Sequence, residues 1–358
     1  ALRTGSLLIA IAIVLDGLLG PPVEGMNGAG VIPWIHWRGM VVIGLLALGN
    51  LFCPVCPFIL PRRLARRFKP VSRDWPRALR SKWFAVALVT AFLVAYELFS
   101  LWSSPWWTAW IIVGYFVVAL GVDTLFRGDA FCRYLCPIGQ FQVVHSALSP
   151  LEVRVRDQAV CTSCASRACT RGAGRSTGCG MGLNVPAKVG NTDCTFCLEC
   201  VSACPHDNIG LLPRMPGEEL ILNARPAAPR SLARRPDLAA LLVVFAFGAF
   251  ANAAGMVAPV LAWQDGMVAR LGIERWMVVL ASLALSIVVT PTLLVLIAGV
   301  LGAAWTGLTA RRVELTCRMT ASLVPIGFAM WFSHMVFHFV TSAGSIVPVT
   351  QRVLGGLG

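Results

Sequence analysis

Charge is what this chain has least of for its size. Asp, Glu, Lys and Arg make up 13% of its 358 residues against 57% hydrophobic, and the mean hydropathy is +0.72. That balance excludes an ordinary soluble protein, in which roughly a quarter of the residues are charged. It predicts an integral membrane protein with several spans and one small domain. Acidic residues are scarcer still, 17 against 30 basic, for a net charge of +13. Such a charge would suit nucleic acid, but the basic residues crowd the ends of apolar segments, where they orient a protein in a bilayer. No nucleic-acid partner is therefore expected. The chain has no periodic repeat and no low-complexity tract. The apolar Leu7–Leu19 stretch lacks a small-residue cleavage site before Pro21 and Pro22, so no signal peptide is expected either.

Apolar segments are abundant. By a length test of roughly 17 to 25 residues per helix, seven can be marked, at about 5–20, 31–52, 83–102, 105–126, 238–262, 276–304 and 320–341. The expected fold is an all-α transmembrane helix bundle of about seven spans with an inserted small α+β two-cluster ferredoxin-like domain. Helices one to four occupy 1–126, the cluster domain 127–236, and three further helices 237–358. Arg62, Arg63, Arg66, Arg67, Lys69, Arg73, Arg77, Arg80 and Lys82 crowd the loop after the second segment, which places that loop in the cytoplasm. Trp102, Trp106, Trp107 and Trp110 form an aromatic belt at the outer surface. The cluster domain, closed by the basic linker Arg225–Arg235, then returns to the cytoplasmic side of a bacterial inner membrane.

Cysteine is the informative residue, with thirteen in all. Cys194, Cys197, Cys200 and Cys204-Pro205 spell C-x2-C-x2-C-x3-C-P, in which three thiolates wrap one cubane and the fourth reaches another cluster. A structural zinc site would want two C-x2-C pairs, and a disulfide scaffold would not sit beside long apolar runs. Upstream stand Cys161, Cys164, Cys169 and Cys179, in a less regular run. Crossing the fourth cysteine of each run gives two [4Fe–4S] ligand sets: Cys161, Cys164, Cys169 and Cys204 for one cluster, and Cys194, Cys197, Cys200 and Cys179 for the other. His206, after Cys204-Pro205, reads as a solvated loop histidine.

Two further motifs each follow an apolar segment: Cys53-Pro54-Val55-Cys56-Pro57 and Cys132-Arg133-Tyr134-Leu135-Cys136-Pro137. The proline bars further helix. Cys53, Cys56, Cys132 and Cys136 are candidates for an additional metal or cluster site, a redox-active disulfide, or structural thiols. At these residues the chain resembles the membrane polyferredoxins of the NapH and NosR type. The resemblance covers roughly residues 31–215. It implies a membrane electron-transfer protein linking the quinone pool to a partner, as a quinol-oxidising subunit of an oxidoreductase complex. Relatives similar to NosR carry a flavin-binding domain that this sequence lacks.

Ionisable groups within spans are functional candidates. Asp16, His36, Arg38, Glu97, His334 and His338 all fall in the outer half of their segments, which suggests one polar pocket. His36, Glu97, His334 and His338 are the candidate catalytic residues. Three uses compete: a quinol site with proton acceptors, a haem b or copper site, and hydrogen-bonded packing. His145 reads as interfacial and Cys317 as an unligated thiol. The function expected is an electron conduit between the quinone pool and other subunits or a soluble electron carrier. The alternatives are a metal-handling assembly factor of cupric-reductase type, with His334 and His338 presenting copper, and a membrane anchor whose polar groups only pack.

Overall fold

The computed structural model describes residues 2–68, 73–173, 176, 178–223, 232–308 and 311–355. Lys69 and, in the basic linker, Arg225 and Arg230 lie outside the described residues. The helices that frame the site are, in chain order, α1 (Leu2–Leu19), α2 (Gly28–Ala47), α3 (Ile59–Phe68), α4 (Trp83–Leu98), α5 (Pro105–Leu125), α6 (Pro137–His145), α7 (Pro236–Ala254), α8 (Arg275–Trp305) and α9 (Arg312–Thr341). Among the described residues, α1, α2, α5, α7, α8 and α9 are long and apolar enough to cross a membrane. This is the pattern of a multi-pass membrane protein. Helix α4, with 16 residues, is apolar but spans only about 24 Å, short of a bilayer core of about 30 Å.

Local chemistry sets the helix boundaries. Ser104 caps α5 by accepting from the Trp107 N–H at 3.3 Å, with Pro105 at the first helical position. The apolar stretch expected over 238–262 divides, because α7 stops at Ala254 and a separate helix, Ala258–Leu271, begins with Pro259 in its first turn. Within α2, Ile32–Trp37 widens into a π-helical turn just where Pro33 lacks a donor. A second such turn, Phe131–Leu135, carries Cys132 and ends on Cys136, the N-cap of α6. Local π segments of this kind recur at functional sites.

Helix α7 lies at the centre, its buried face packed against α4, α8 and α9 through Leu93, Leu241, Phe245, Ile287 and Trp331. Three helix ends next to the cysteine module meet it together. Asn50 donates to the Thr195 carbonyl at 3.2 Å, Asp129 N–H donates to the Gly180 carbonyl at 3.0 Å, and Arg235 pairs with Asp193 at 2.8 Å. These contacts tie the C-terminal ends of α2 and α5 and the N-terminal end of α7 to the module.

The module is stitched by one antiparallel pair, β1 (Leu151–Val155) and β2 (Ile209–Pro213), in register from Leu151↔Pro213 to Val155↔Ile209. That register brings the chain entering the Cys161 run beside the chain leaving Cys204. The sheet therefore closes the loop on which a crossed ligand set depends.

Candidate functional site

Cys161, Cys164, Cys169 and Cys204 line a single cavity of about 220 Å³. Asn208 holds its two ends together. Its side chain accepts from Asp157 N–H at 2.9 Å and donates to the Asp157 carbonyl at 2.6 Å and to the Cys161 sulfur at 3.3 Å. Its own N–H donates to the Cys204 sulfur at 3.4 Å. Nothing in the cysteine spacing pointed to Asn208; an amide side chain four residues after a Cys-Pro was the available signal. His206 lines the same cavity from an exposed position. Hydrogen bonds from Ser166, then from the Arg167 backbone, bring the exposed Cys164 thiol down to about 7.

Cys179, Cys194, Cys197 and Cys200 line a second, tighter cavity of about 20 Å³ walled by Val153, Met181, Leu183 and Phe196. Phe196 and Leu198 adopt left-handed backbone conformations on either side of Cys197. Such positions cost non-glycine residues free energy and gather where a loop must bend around a ligand. Leu183 N–H donates to the Cys179 sulfur at 3.4 Å. Burial pushes the Cys197 thiol up, and takes Cys200 to about 12. The crossed sets read from the sequence are thus the sets that share a cavity. Cys169, Cys194 and Cys200 are buried in one apolar core, which places the two cavities side by side.

The Cys-Pro motifs converge as well. Cys56, Cys132 and Cys136 pack with Phe58, Tyr115 and Phe131, and Cys132 also packs against the core of the cysteine module. Burial raises the thiols of Cys56, Cys132 and Cys136 to about 12 and that of Cys53 well above its ordinary value. Neutral buried thiols must release protons before binding a metal. Gly139 N–H donates to the Cys136 sulfur at 3.2 Å.

Arg62 and Lys82, which the sequence offered only as topological charges, are buried beside this site. Arg62 sits 2.6 Å from Asp123 and 3.8 Å from Asp129, and donates to the Cys132 sulfur at 3.1 Å. Burial opposes its charge, but Cys132, Asp123 and Asp129 outweigh that and raise its pKa. Lys82 donates to Gln140 at 2.7 Å and to the Arg133 carbonyl at 3.0 Å, and burial lowers its pKa. Among the described residues, no group of three or more His, Cys, Asp or Glu side chains is gathered around one point as a single ion would need. One zinc demands all its sulfurs at about 2.3 Å from a common centre, whereas a cubane takes one thiolate at each of four irons and holds them farther apart.

The intramembrane polar residues separate. Arg38 is stacked between the Trp34 and Tyr96 rings at 4.4 and 4.7 Å and donates to the Tyr96 hydroxyl at 3.1 Å. Glu97, His334 and His338 lie within its electrostatic reach, and Glu97 accepts from Asn252. The His334 and His338 rings stand edge to face at 4.8 Å. His36 instead faces the Ala343 carbonyl at 3.1 Å and the Phe339 ring, and Asp16 pairs with Arg352 at 2.5 Å. His145 is fully buried among Phe141, Phe245 and Phe328, its Nδ1 on the Phe141 carbonyl at 2.9 Å. Cys317 is buried and free.

Comparison with known proteins gives a partial likeness. Over 91 residues, 25% of this chain and 23% of the other, it is 34% identical to the "Putative electron transport protein YccM" of Escherichia coli. Over 173 residues, 46% of this chain and 64% of the other, it is 25% identical to the "Uncharacterized protein MJ0749" of Methanocaldococcus jannaschii. The chain thus spans less than two thirds of the length of either relative. No family model and no solved structure matches it.

Proposed function

We propose that this chain is a membrane-bound electron-transfer subunit, passing electrons between the quinone pool and a redox partner through two [4Fe–4S] clusters. The observation that carries the reading is the coincidence of two independent groupings. The ligand sets expected from crossed ferredoxin spacing are also the two sets of four cysteines that line a cavity each. The partial likeness to a protein described as an electron transport protein points the same way. Cys161, Cys164, Cys169 and Cys204 would hold one cluster, and Cys179, Cys194, Cys197 and Cys200 the other. When bound, each supplies a one-electron centre whose potential is set by burial and by hydrogen bonds to sulfur.

The chain's own residues do the rest. Val153, Met181, Leu183 and Phe196 exclude water from the inner set, and Asn208 and Leu183 N–H donate to sulfurs. Cys132 packs both against this core and within the Cys-Pro site at the membrane helices, so the two are continuous.

Full-length protein prepared anaerobically tests the proposal by metal analysis and EPR. The expected result is about eight iron and eight sulfide per chain, with two interacting spin centres after reduction, and reduction of both by a quinol analogue. Zinc in place of iron, or clusters indifferent to any quinol, would overturn it.

A further inference from the structure

The quinone link leaves open where a lipid-soluble carrier would bind, and a further cavity among the described residues is lined by none of the cysteines. Between α2, α4, α5 and α6 lies an almost wholly apolar cavity of about 230 Å³. Its lateral wall includes Phe92, Ile111 and Ile112, half-exposed on the lipid-facing flank of α4 and α5. Its opposite end reaches Phe58, Tyr115 and Ile138, which also pack around Cys56, Cys132 and Cys136.

Arg38, Thr108, Tyr115 and Gln142 bring polar atoms to the apolar lining, and Thr108 already accepts from the Trp34 indole N–H at 2.8 Å. Arg38 enters between its two aromatic partners. Gln142 on α6 also lines the cavity, is 1% exposed, and has an Oε1 with no hydrogen-bond partner. A buried amide left unsatisfied costs about 1–3 kcal/mol, which a bound hydrogen-bonding group would relieve. A hydrocarbon tail would leave Gln142 as it is. An ionic headgroup would meet a wall with no countercharge besides Arg38. A neutral lipophilic ring with a hydroxyl that donates to Gln142 Oε1 and an oxygen that accepts from Arg38 satisfies both, which is the quinol form.

We infer that this cavity is the binding site of an isoprenoid quinol, with Gln142 Oε1 accepting from a quinol hydroxyl and Arg38 donating to a ring oxygen. The inference rests on the electron-transfer reading above and fixes the place of binding within it. His36, His334 and His338 do not line the cavity, so the carrier's polar contacts are Gln142 and Arg38, and its far end adjoins the Cys-Pro motifs.

The test is equilibrium binding of radiolabelled decylubiquinol and a short-chain naphthoquinol, kept reduced, to the full chain in lipid nanodiscs, with cluster EPR recorded on the same samples. Gln142→Leu is expected to fold at least as stably, since it removes an unpaired buried group, and to weaken binding about tenfold, or about 1.4 kcal/mol. Ile112→Trp, which narrows the lateral wall, is a second route to the same loss. Val117→Ala, on an exposed face of α5 outside the cavity, is expected to bind within about twofold of the unaltered chain, well under that tenfold step. Wild-type binding in Gln142→Leu and Ile112→Trp would overturn the site while quinol-reducible clusters keep the electron-transfer reading. Displacement by phospholipid alone would make the cavity a lipid-tail groove and also overturn the site. Absence of both binding and quinol reduction in the unaltered chain would remove both.

Discussion

The Arg62 guanidinium donates to the Cys132 sulfur at 3.1 Å while facing Asp123 at 2.6 Å, both partners lying outside its own helix. A cation this deep is held by what surrounds it. It also pins the end of α5 to the π turn that presents Cys132, because Asp123 accepts from Phe131 N–H at 3.0 Å.

Removing that cation is expected to be costly. Arg62→Met takes away the charge facing Asp123 and should destabilise by about 3–5 kcal/mol, read as a fall in the thermal midpoint of the detergent-solubilised protein. Adding Asp123→Asn, which keeps the acceptor for Phe131, should restore most of the loss. Equal destabilisation in the single and double variants would show that Arg62 acts through the thiol alone.

Crossed ligation makes an asymmetric prediction for the fourth cysteines. Cys204→Ala should abolish the cluster of the Cys161 cavity and leave the Cys194 cavity's EPR signal, although Cys204 is contiguous in sequence with Cys194. Cys179→Ala should do the reverse. The opposite pattern would mean that each run closes on itself.

The grouping of eight cysteines into two cavities was legible because the spacing rule is local with one long-range step, and the β1–β2 register supplies that step without further sequence cues. The apolar segments were legible for a similar reason, since length and composition suffice to mark a span. What spacing could not reveal was which charges turn inward. Arg62 and Lys82 belong to a basic loop that reads as a topological signal, yet Arg62 is 6% and Lys82 5% exposed. Their partners Asp123, Gln140 and Asp193 lie far away in sequence. Likewise the six intramembrane polar residues share a depth in the sequence reading, but helix rotation decides their partners. Glu97, His334 and His338 lie within electrostatic reach of Arg38, while Asp16 pairs with Arg352.

Asn208 should tune one cluster and not the other. Asn208→Asp keeps the acceptor for Asp157 N–H but removes the donor to the Cys161 sulfur and adds negative charge nearby. Loss of one hydrogen bond of about 1 kcal/mol corresponds to roughly 40 mV for one electron, and the direction is negative because the donor favours the more electron-rich reduced cluster. Potentiometric EPR titration would show this shift in the cluster of the Cys161 cavity. An equal shift in both centres would contradict the assignment of Asn208 to one cavity.

His145 makes the protein's stability depend on acid. Burial lowers its pKa from 6.5 to about 4, so the folded chain keeps the ring neutral where the unfolded chain binds a proton. The stability is therefore fully present above 6.5 and is lost as pH falls toward 4, with the unfolded state taking up the proton throughout that window. At about pH 5 the loss amounts to about 2 kcal/mol from this residue alone. The ring packs among Phe141, Phe245 and Phe328, joining α6 to α7 and α9, so its protonation loosens the contact between the helix capped by Cys136 and the bundle. In His145→Phe the ring is kept and the titration removed. Thermal midpoints measured from neutral pH down to about 5 should fall more steeply for the unaltered chain than for this variant. Parallel curves would show that the acid sensitivity arises elsewhere, with the buried Arg62–Asp123 pair the next group to substitute.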